Sequence, residues 1–306
     1  MEVKLHLKID FPIGDQNFFV RPYSNGHPIH RGLHRLHGKI ADFISAITYI
    51  CGNKNGLTRY FIYISFKGTS YHGWQVQPNS LTIQKIMDRA LTLILGENIS
   101  TIGAGRTDAG VHARIFCAHF DSARSSLDAD KNLIFRLNRF LPHDIAVTSV
   151  RRVRPDSNAR FSAISRTYKY YISLEKDPFS FDSSWYLYGE PDVESMNRAS
   201  ELLRGYSDFT SFAKLHSDNK TGTCRIFSAR WEADGNFLVF TIKADRFLRN
   251  MVRAIVGTMI ELGRRRISIE EFERIVASRD RAAAGTSAPA RGLFLCDIEY
   301  PAEIFN

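Results

Sequence analysis

From Arg59 to Tyr300, short runs of period-two hydrophobicity alternate with longer runs of period 3.6, and the whole alternation occurs twice. Side chains repeat every two residues on a strand face and every 3.6 on a helix face, so the two periods separate the element types. In the first half, Tyr60 to Phe66 reads as a strand and Lys67-Gly68-Thr69 as a turn. Thr82 to Leu95 places Ile83, Ile86, Met87, Ala90, Leu91 and Ile94 on one helical face, with Gly96 as its stop. Val111 to Phe120 suits a strand, Asp130 to Phe140 a helix, and "LPHDIAVTSVRRV" a turn and another strand. The second half opens with the strand in "RFSAISRTYKYYISL" and a helix from Val193 to Leu203, stopped by Gly205. "CRIFSARWEADGNFLVFTIKA" carries two strands around Asp234-Gly235, a strong hairpin signal. A long apolar helix over about Phe247 to Leu262, a shorter one from Ile269 to Ala277, and a strand from Leu293 to Tyr300 complete it. The expected class is α+β: two similar domains, 58–155 and 156–306, with antiparallel or mixed sheets flanked by helices and a cleft between them.

Composition narrows the function classes. Hydrophobic residues make up 44% and charged ones 24%, a globular balance, while the net charge of +9 makes a polyanionic partner plausible. A merely basic protein would look the same. Cys51, Cys117, Cys224 and Cys296 lie far apart without a C-x-x-C pair, which points to reduced thiols in a cytoplasmic protein. No apolar run is long enough for a membrane span, and no secretory signal is recognisable. Residues 1–57 stand apart: they hold five of the ten histidines (His6, His27, His30, His34, His37) without metal-ligand spacing. A poorly packed extension is expected there.

One loop concentrates the chemistry. "GAGRTDAGVHA", residues 103–113, sets a lone Asp108 among glycines. A dinucleotide fingerprint would need its third glycine two positions earlier than Gly110, and a helix rather than the strand-like "VHARIFCAHF" after it. A P-loop would need G-K-[ST], which is absent. The H-x-E and P-C-x-x-C pair of a zinc deaminase, the G-x-S-x-G elbow and H-E-x-x-H are missing too. On these residues alone, a turn-capping aspartate competes evenly with a catalytic one.

The loop resembles the active-site motif of the tRNA pseudouridine synthase A family. "GTSYHGWQVQPNSLTIQ", "NRFLPHDIAV", "ARFSAISRTYKYYI", "LLRGYSDFTSFAK", "FLRNMVRAIVGTMIELG" and "APARGLFLCDIEY" continue the resemblance in the family's order, over essentially Arg59 to Tyr300. Phe66-Lys67 stands where Tyr-Asp is usual, and Asn158 where His is common; neither touches the catalytic motif. The resemblance implies the pseudouridine synthase fold and a homodimer that holds tRNA across both subunits. It also implies isomerisation of uridine to pseudouridine at positions 38–40 in the anticodon stem-loop, without metal or cofactor. A competing class is a tRNA-binding or RNA-chaperone protein that kept the fold and lost catalysis, which would not need the intact catalytic residues.

The chemistry explains why one carboxylate can suffice. The N1–C1′ bond breaks, the uracil turns, and a C5–C1′ bond forms, with Asp108 attacking C1′, adding to the ring or taking a sugar proton. Each route needs a desolvated, ionised carboxylate, which favours a neighbouring cation. By the resemblance Arg253 is that cation, and Tyr168 is the active-site tyrosine. The strand pattern alone cannot choose between Tyr168 and Tyr170. Arg246, Arg249 and Arg253, spaced three and four apart, are expected on one helical face, as RNA contacts or as a solvated stripe for the first two. Arg106 could fill the space left by an extruded base or clamp its phosphate. Leu293 could pack on the uracil. Gly257 would let another backbone come close.

Overall fold

The computed structural model describes residues 56–214 and 221–305. The 1–57 extension, with its histidines and Cys51, therefore lies outside the described residues except for Gly56 and Leu57. Among the described residues nine strands form one sheet: β1 (Thr58–Phe66), β2 (Ile102–Gly103), β3 (His112–Ser122), β4 (Ile145–Arg152), β5 (Ser165–Ser173), β6 (Trp185–Tyr186), β7 (Ile226–Asp234), β8 (Phe237–Ala244) and β9 (Leu293–Glu299). The spatial order is β4-β1-β3-β9-β5-β8-β7, with β2 on β3 and β6 on β5. The described α-helices flank it: α1 (Ile83–Leu95), α2 (Leu133–Phe140), α3 (Val193–Leu202), α4 (Met251–Gly263) and α5 (Ile269–Ser278). The α+β class is as expected. The two halves, expected side by side, are joined edge to edge into a continuous mixed sheet.

The join is short. The last strand, β9, inserts between β3 and β5, antiparallel to β5 but parallel to β3 through only His112↔Phe294 and Ala113↔Leu295. Each half keeps its own apolar cluster, the first around Phe61, Phe116 and Leu137, the second around Tyr170, Trp231, Phe240 and α4. Strand β9 serves both, since Leu295 and Ile298 belong to the first cluster and Leu293 to the second. The glycine loop leads directly into β3, so the fold delivers it to the seam.

Local signals account for most boundaries. Thr82 caps α1 by accepting from the Lys85 amide, and Gly96 ends it at φ 70. Ser268 and Glu271 close a capping box at α5. The Asp234-Gly235 turn joins β7 to β8, with Gly235 at φ 58. Two helix starts differ from expectation: α2 begins at Leu133 rather than Asp130, and α4 begins at Met251, because Asn250 adopts φ 67 and breaks the helical path. Arg246 and Arg249 are consequently not on the α4 face with Arg253; they belong to the segment that leads into it. Among the described residues, no helix is long and apolar enough to cross a membrane.

A buried histidine holds one edge of the first half. His119, 3% exposed, accepts at Nδ1 from the Ala159 amide at 3.1 Å. Burial, with help from the Arg59 charge, pushes its pKa down to about 4, below the 6.5 of a free imidazole. The folded chain therefore binds fewer protons than the unfolded chain between those values. The stability from neutral His119 is complete above pH 6.5 and is lost as pH falls toward 4, by roughly 3 kcal/mol in all. The urea midpoint of the wild type should fall between pH 6.5 and 5, and that of His119→Gln should fall less. Equal slopes in both proteins would contradict this assignment.

Candidate active site

Asp108 sits in a turn closed by the Val111 amide, which donates to the Asp108 carbonyl at 3.2 Å. The segment Tyr71–Trp74 cradles this turn. Tyr71 accepts from the Gly110 amide through its carbonyl, and its hydroxyl donates to Asp144 at 2.6 Å. Gly73, at φ +82, lies so close that a Cβ there would stand 2.1 Å from the Thr107 carbonyl oxygen. Both the left-handed backbone and the contact require glycine. Trp74 stacks on Phe116 at 4.2 Å, below Gly103. The "SYHGW" stretch thus shapes the Asp108 loop by close contact.

Two guanidiniums face the carboxylate. Arg253 Nη1 lies 3.1 Å from Asp108 Oδ2, and Arg249 Nε lies 3.7 Å from Oδ1. They are not equivalent. Arg253 also donates through Nε to the Ala288 carbonyl at 2.7 Å, and its side chain is only 20% exposed, against 45% for Arg249. A tethered, half-desolvated cation offsets the cost of removing a carboxylate from water far better than an exposed one. The tether depends on close packing behind α4. The Ala288 amide donates to the Arg253 carbonyl, and a Cβ on Gly257 would stand 1.8 Å from the Thr286 carbonyl oxygen. Gly257→Ala should cost up to about 2 kcal/mol net, since overpacking of roughly 1–3 kcal/mol against backbone outweighs the roughly 1 kcal/mol gained in helix propensity. It should also lower turnover by moving the Ala288 carbonyl away from Arg253. Calorimetry and a turnover assay check both; an unchanged melting point would mean that the 286–288 segment yields freely.

The other expected residues divide. Tyr168 lies on β5 with its ring edge-on to Phe247 at 5.0 Å, and burial, reinforced by the Asp108 charge, pushes its phenol up to about 12. It therefore stays protonated and can donate throughout the neutral range. Tyr170 is a core residue, fully buried, with its hydroxyl on the Pro289 carbonyl at 2.7 Å. Arg106 is on the exposed rim of the loop. Leu293 is 6% exposed and packs in the second core.

Three contributors escaped sequence reasoning. Arg166 on β5 donates to the carbonyls of Ala104, Arg160, Ala163 and Asp245, clasping the glycine loop to the segment before α4. His112 pins the seam: Nδ1 accepts from the Gly68 amide, Nε2 donates to the Arg291 carbonyl, and the ring stacks on Phe294 at 4.5 Å. Burial lowers its pKa, consistent with a neutral structural imidazole. The Thr107 hydroxyl, next to Asp108, is buried without a hydrogen-bond partner among the described residues.

Known proteins carry the same pattern. A sequence profile described as "tRNA pseudouridine synthase" matches residues 199–301. "tRNA pseudouridine synthase A" of Bacteroides fragilis is 52% identical over 249 residues, covering 81% of this chain and 98% of that protein. The protein of the same name from Bacteroides thetaiotaomicron is 51% identical over 253 residues, covering 82% and 93%. In Chlorobaculum tepidum the identity is 41% over 240 residues, covering 78% and 96%. With half of the aligned positions identical along nearly the whole length of such relatives, the chain belongs to the tRNA pseudouridine synthase A family.

Proposed function

We propose that this protein isomerises uridine to pseudouridine in the anticodon arm of tRNA, with Asp108 as the catalytic carboxylate. The observation that carries the reading is one carboxylate in a glycine loop, held by the tethered guanidinium of Arg253 from the other half of the chain. A turn-capping aspartate has no need of a partly buried cation on its outer oxygens. The reaction balances without a co-reactant: the N1–C1′ bond is replaced by a C5–C1′ bond, C5 loses a proton and N1 gains one. Asp108 acts at the sugar or the ring, and Arg253 holds its carboxylate in place. Tyr168 offers a ring face to the extruded uracil and a hydroxyl that remains a donor. Arg106, at the rim, occupies the space the base vacates, and Leu293 backs the apolar wall behind the uracil. The catalytic loop comes from the 58–155 half and the cation from the 156–306 half, so the reaction sits between the two. A cytoplasmic homodimer that handles tRNA completes the reading, with no metal or cofactor in the chemistry.

Mapping pseudouridine tests it. Unmodified tRNA incubated with the protein, then derivatised at pseudouridine and fragmented for mass analysis, should carry the adduct in the anticodon arm. Adducts confined to another arm would move the substrate assignment; none at all would overturn the isomerase reading.

A further inference from the structure

A second polar site lies a few residues along the chain from Arg249, whose side chain faces Asp108. The 3-10 turn Leu203–Gly205, the segment that leads into β7 and the Asp245–Arg246 corner after β8 enclose an open cavity of about 530 Å³. Arg204, Arg225 and Arg246 line it, with the hydroxyl-bearing Tyr206, Ser207, Thr221 and Thr223. Among the described residues one carboxylate, Asp245, lines the cavity, and its Oδ1 accepts from the backbone amides of Arg225 at 2.8 Å and Arg246 at 2.7 Å. Arg246 Nη1 reaches the Thr221 hydroxyl at 3.3 Å, and the Arg225 guanidinium lies 5.6 Å from the centre of the Phe227 ring. Three guanidiniums and four hydroxyl-bearing side chains beside a single described carboxylate form a donor-rich pocket of net positive charge. That is the chemistry of a phosphodiester site.

The pocket connects to the reaction centre. Arg246 is three residues from Arg249, whose side chain faces Asp108 and whose carbonyl accepts from the Lys214 amide at 2.9 Å. Three Cα–Cα steps span at most about 11 Å. The same corner is fixed from below, because Arg166 donates to both the Asp245 and the Ala104 carbonyls. A strand whose nucleotide reaches Asp108 would therefore have its neighbouring phosphates over Arg249 and then over the pocket. We infer that this pocket binds the phosphodiester backbone of the substrate tRNA beside the target uridine, through Arg204 and Arg225 with Arg246 at its inner edge. The inference rests on the proposed tRNA substrate and adds a backbone-binding site to it.

The test is the salt dependence of tRNA binding by the full chain. Each phosphate contact contributes about 0.7 to the slope of log K against log salt on a single strand, and about 0.9 on a duplex. Arg204→Gln/Arg225→Gln should flatten the slope by roughly 1.4–1.8 and weaken binding on the order of tenfold at 0.1 M salt. The control is Arg264→Gln/Arg265→Gln, which removes the same charge beyond the far end of α4, about 20 Å from its first residue. A flattened slope in the pocket variant but not in the control supports the site. An unchanged slope, or an equal change in both variants, overturns it. If the wild type binds tRNA with this salt dependence but makes no pseudouridine, the isomerase reading fails and the pocket stands. No salt-dependent binding by the wild type removes both.

Discussion

Asp108→Asn should lower pseudouridine formation by at least about 10³-fold while changing tRNA affinity by less than about threefold. The amide keeps the size and the turn, but it can neither attack nor take a proton, and groups in those roles carry on the order of 10²–10⁴ or more in rate. Affinity should persist because phosphate contacts supply most of it. The substitution also leaves Arg253 and Arg249 facing a neutral group, so some loss of stability is expected, on the order of 1 kcal/mol at this partial exposure. Turnover under single-turnover conditions, beside a binding isotherm, separates chemistry from affinity. Activity within tenfold of the wild type would remove Asp108 from the chemistry.

Arg253→Gln carries the second large effect. Its guanidinium bridges Asp108 and the Ala288 carbonyl, so the variant leaves a partly buried carboxylate without its tethered partner. A loss of roughly 10²-fold in turnover is expected, comparable to removing one preorganised donor from a charged site. The melting point should drop by a few degrees, since 1–2 kcal/mol corresponds to about 2–8 °C at this chain length. Arg253→Lys should recover only part of the activity, because an ammonium cannot span both acceptors with the same fork. Arg249→Gln gives the contrast: at 3.7 Å and 45% exposed, its pairing with Asp108 is screened, and less than tenfold of turnover should be lost. Equal losses at the two positions would mean that the tether to Ala288 does not matter.

Much of this was legible in the residue order because it is local. Gly96, Thr82 and Asp234-Gly235 write their own boundaries through backbone geometry and capping, and each strand's alternation fixes its inward face. The α4 start was misread for an equally local reason. Phe247, Leu248, Met251 and Val252 continue a helical pattern, which outweighs the modest signal that asparagine tolerates the positive φ Asn250 takes. Its side chain instead reaches the Ser287 hydroxyl at 2.6 Å, a partner 37 residues away. Arg166 was invisible for the same kind of reason: its four acceptors come from segments that only the finished fold assembles. The insertion of β9 between β3 and β5 is a non-local parallel pairing, which no window of sequence contains. Asp108 stood out only because its loop resembled a known motif; what surrounds it with cations is tertiary.

The most direct measurement uses tRNA carrying tritium at C5 of uridine. Forming the C5–C1′ bond must release that hydrogen, so tritium should appear in water one for one with pseudouridine. The wild type should show this with chelator present, and Asp108→Asn should show neither product. Pseudouridine-equivalent release by Asp108→Asn, or release that stops in chelator and returns with added metal, would contradict a metal-free isomerisation built on Asp108.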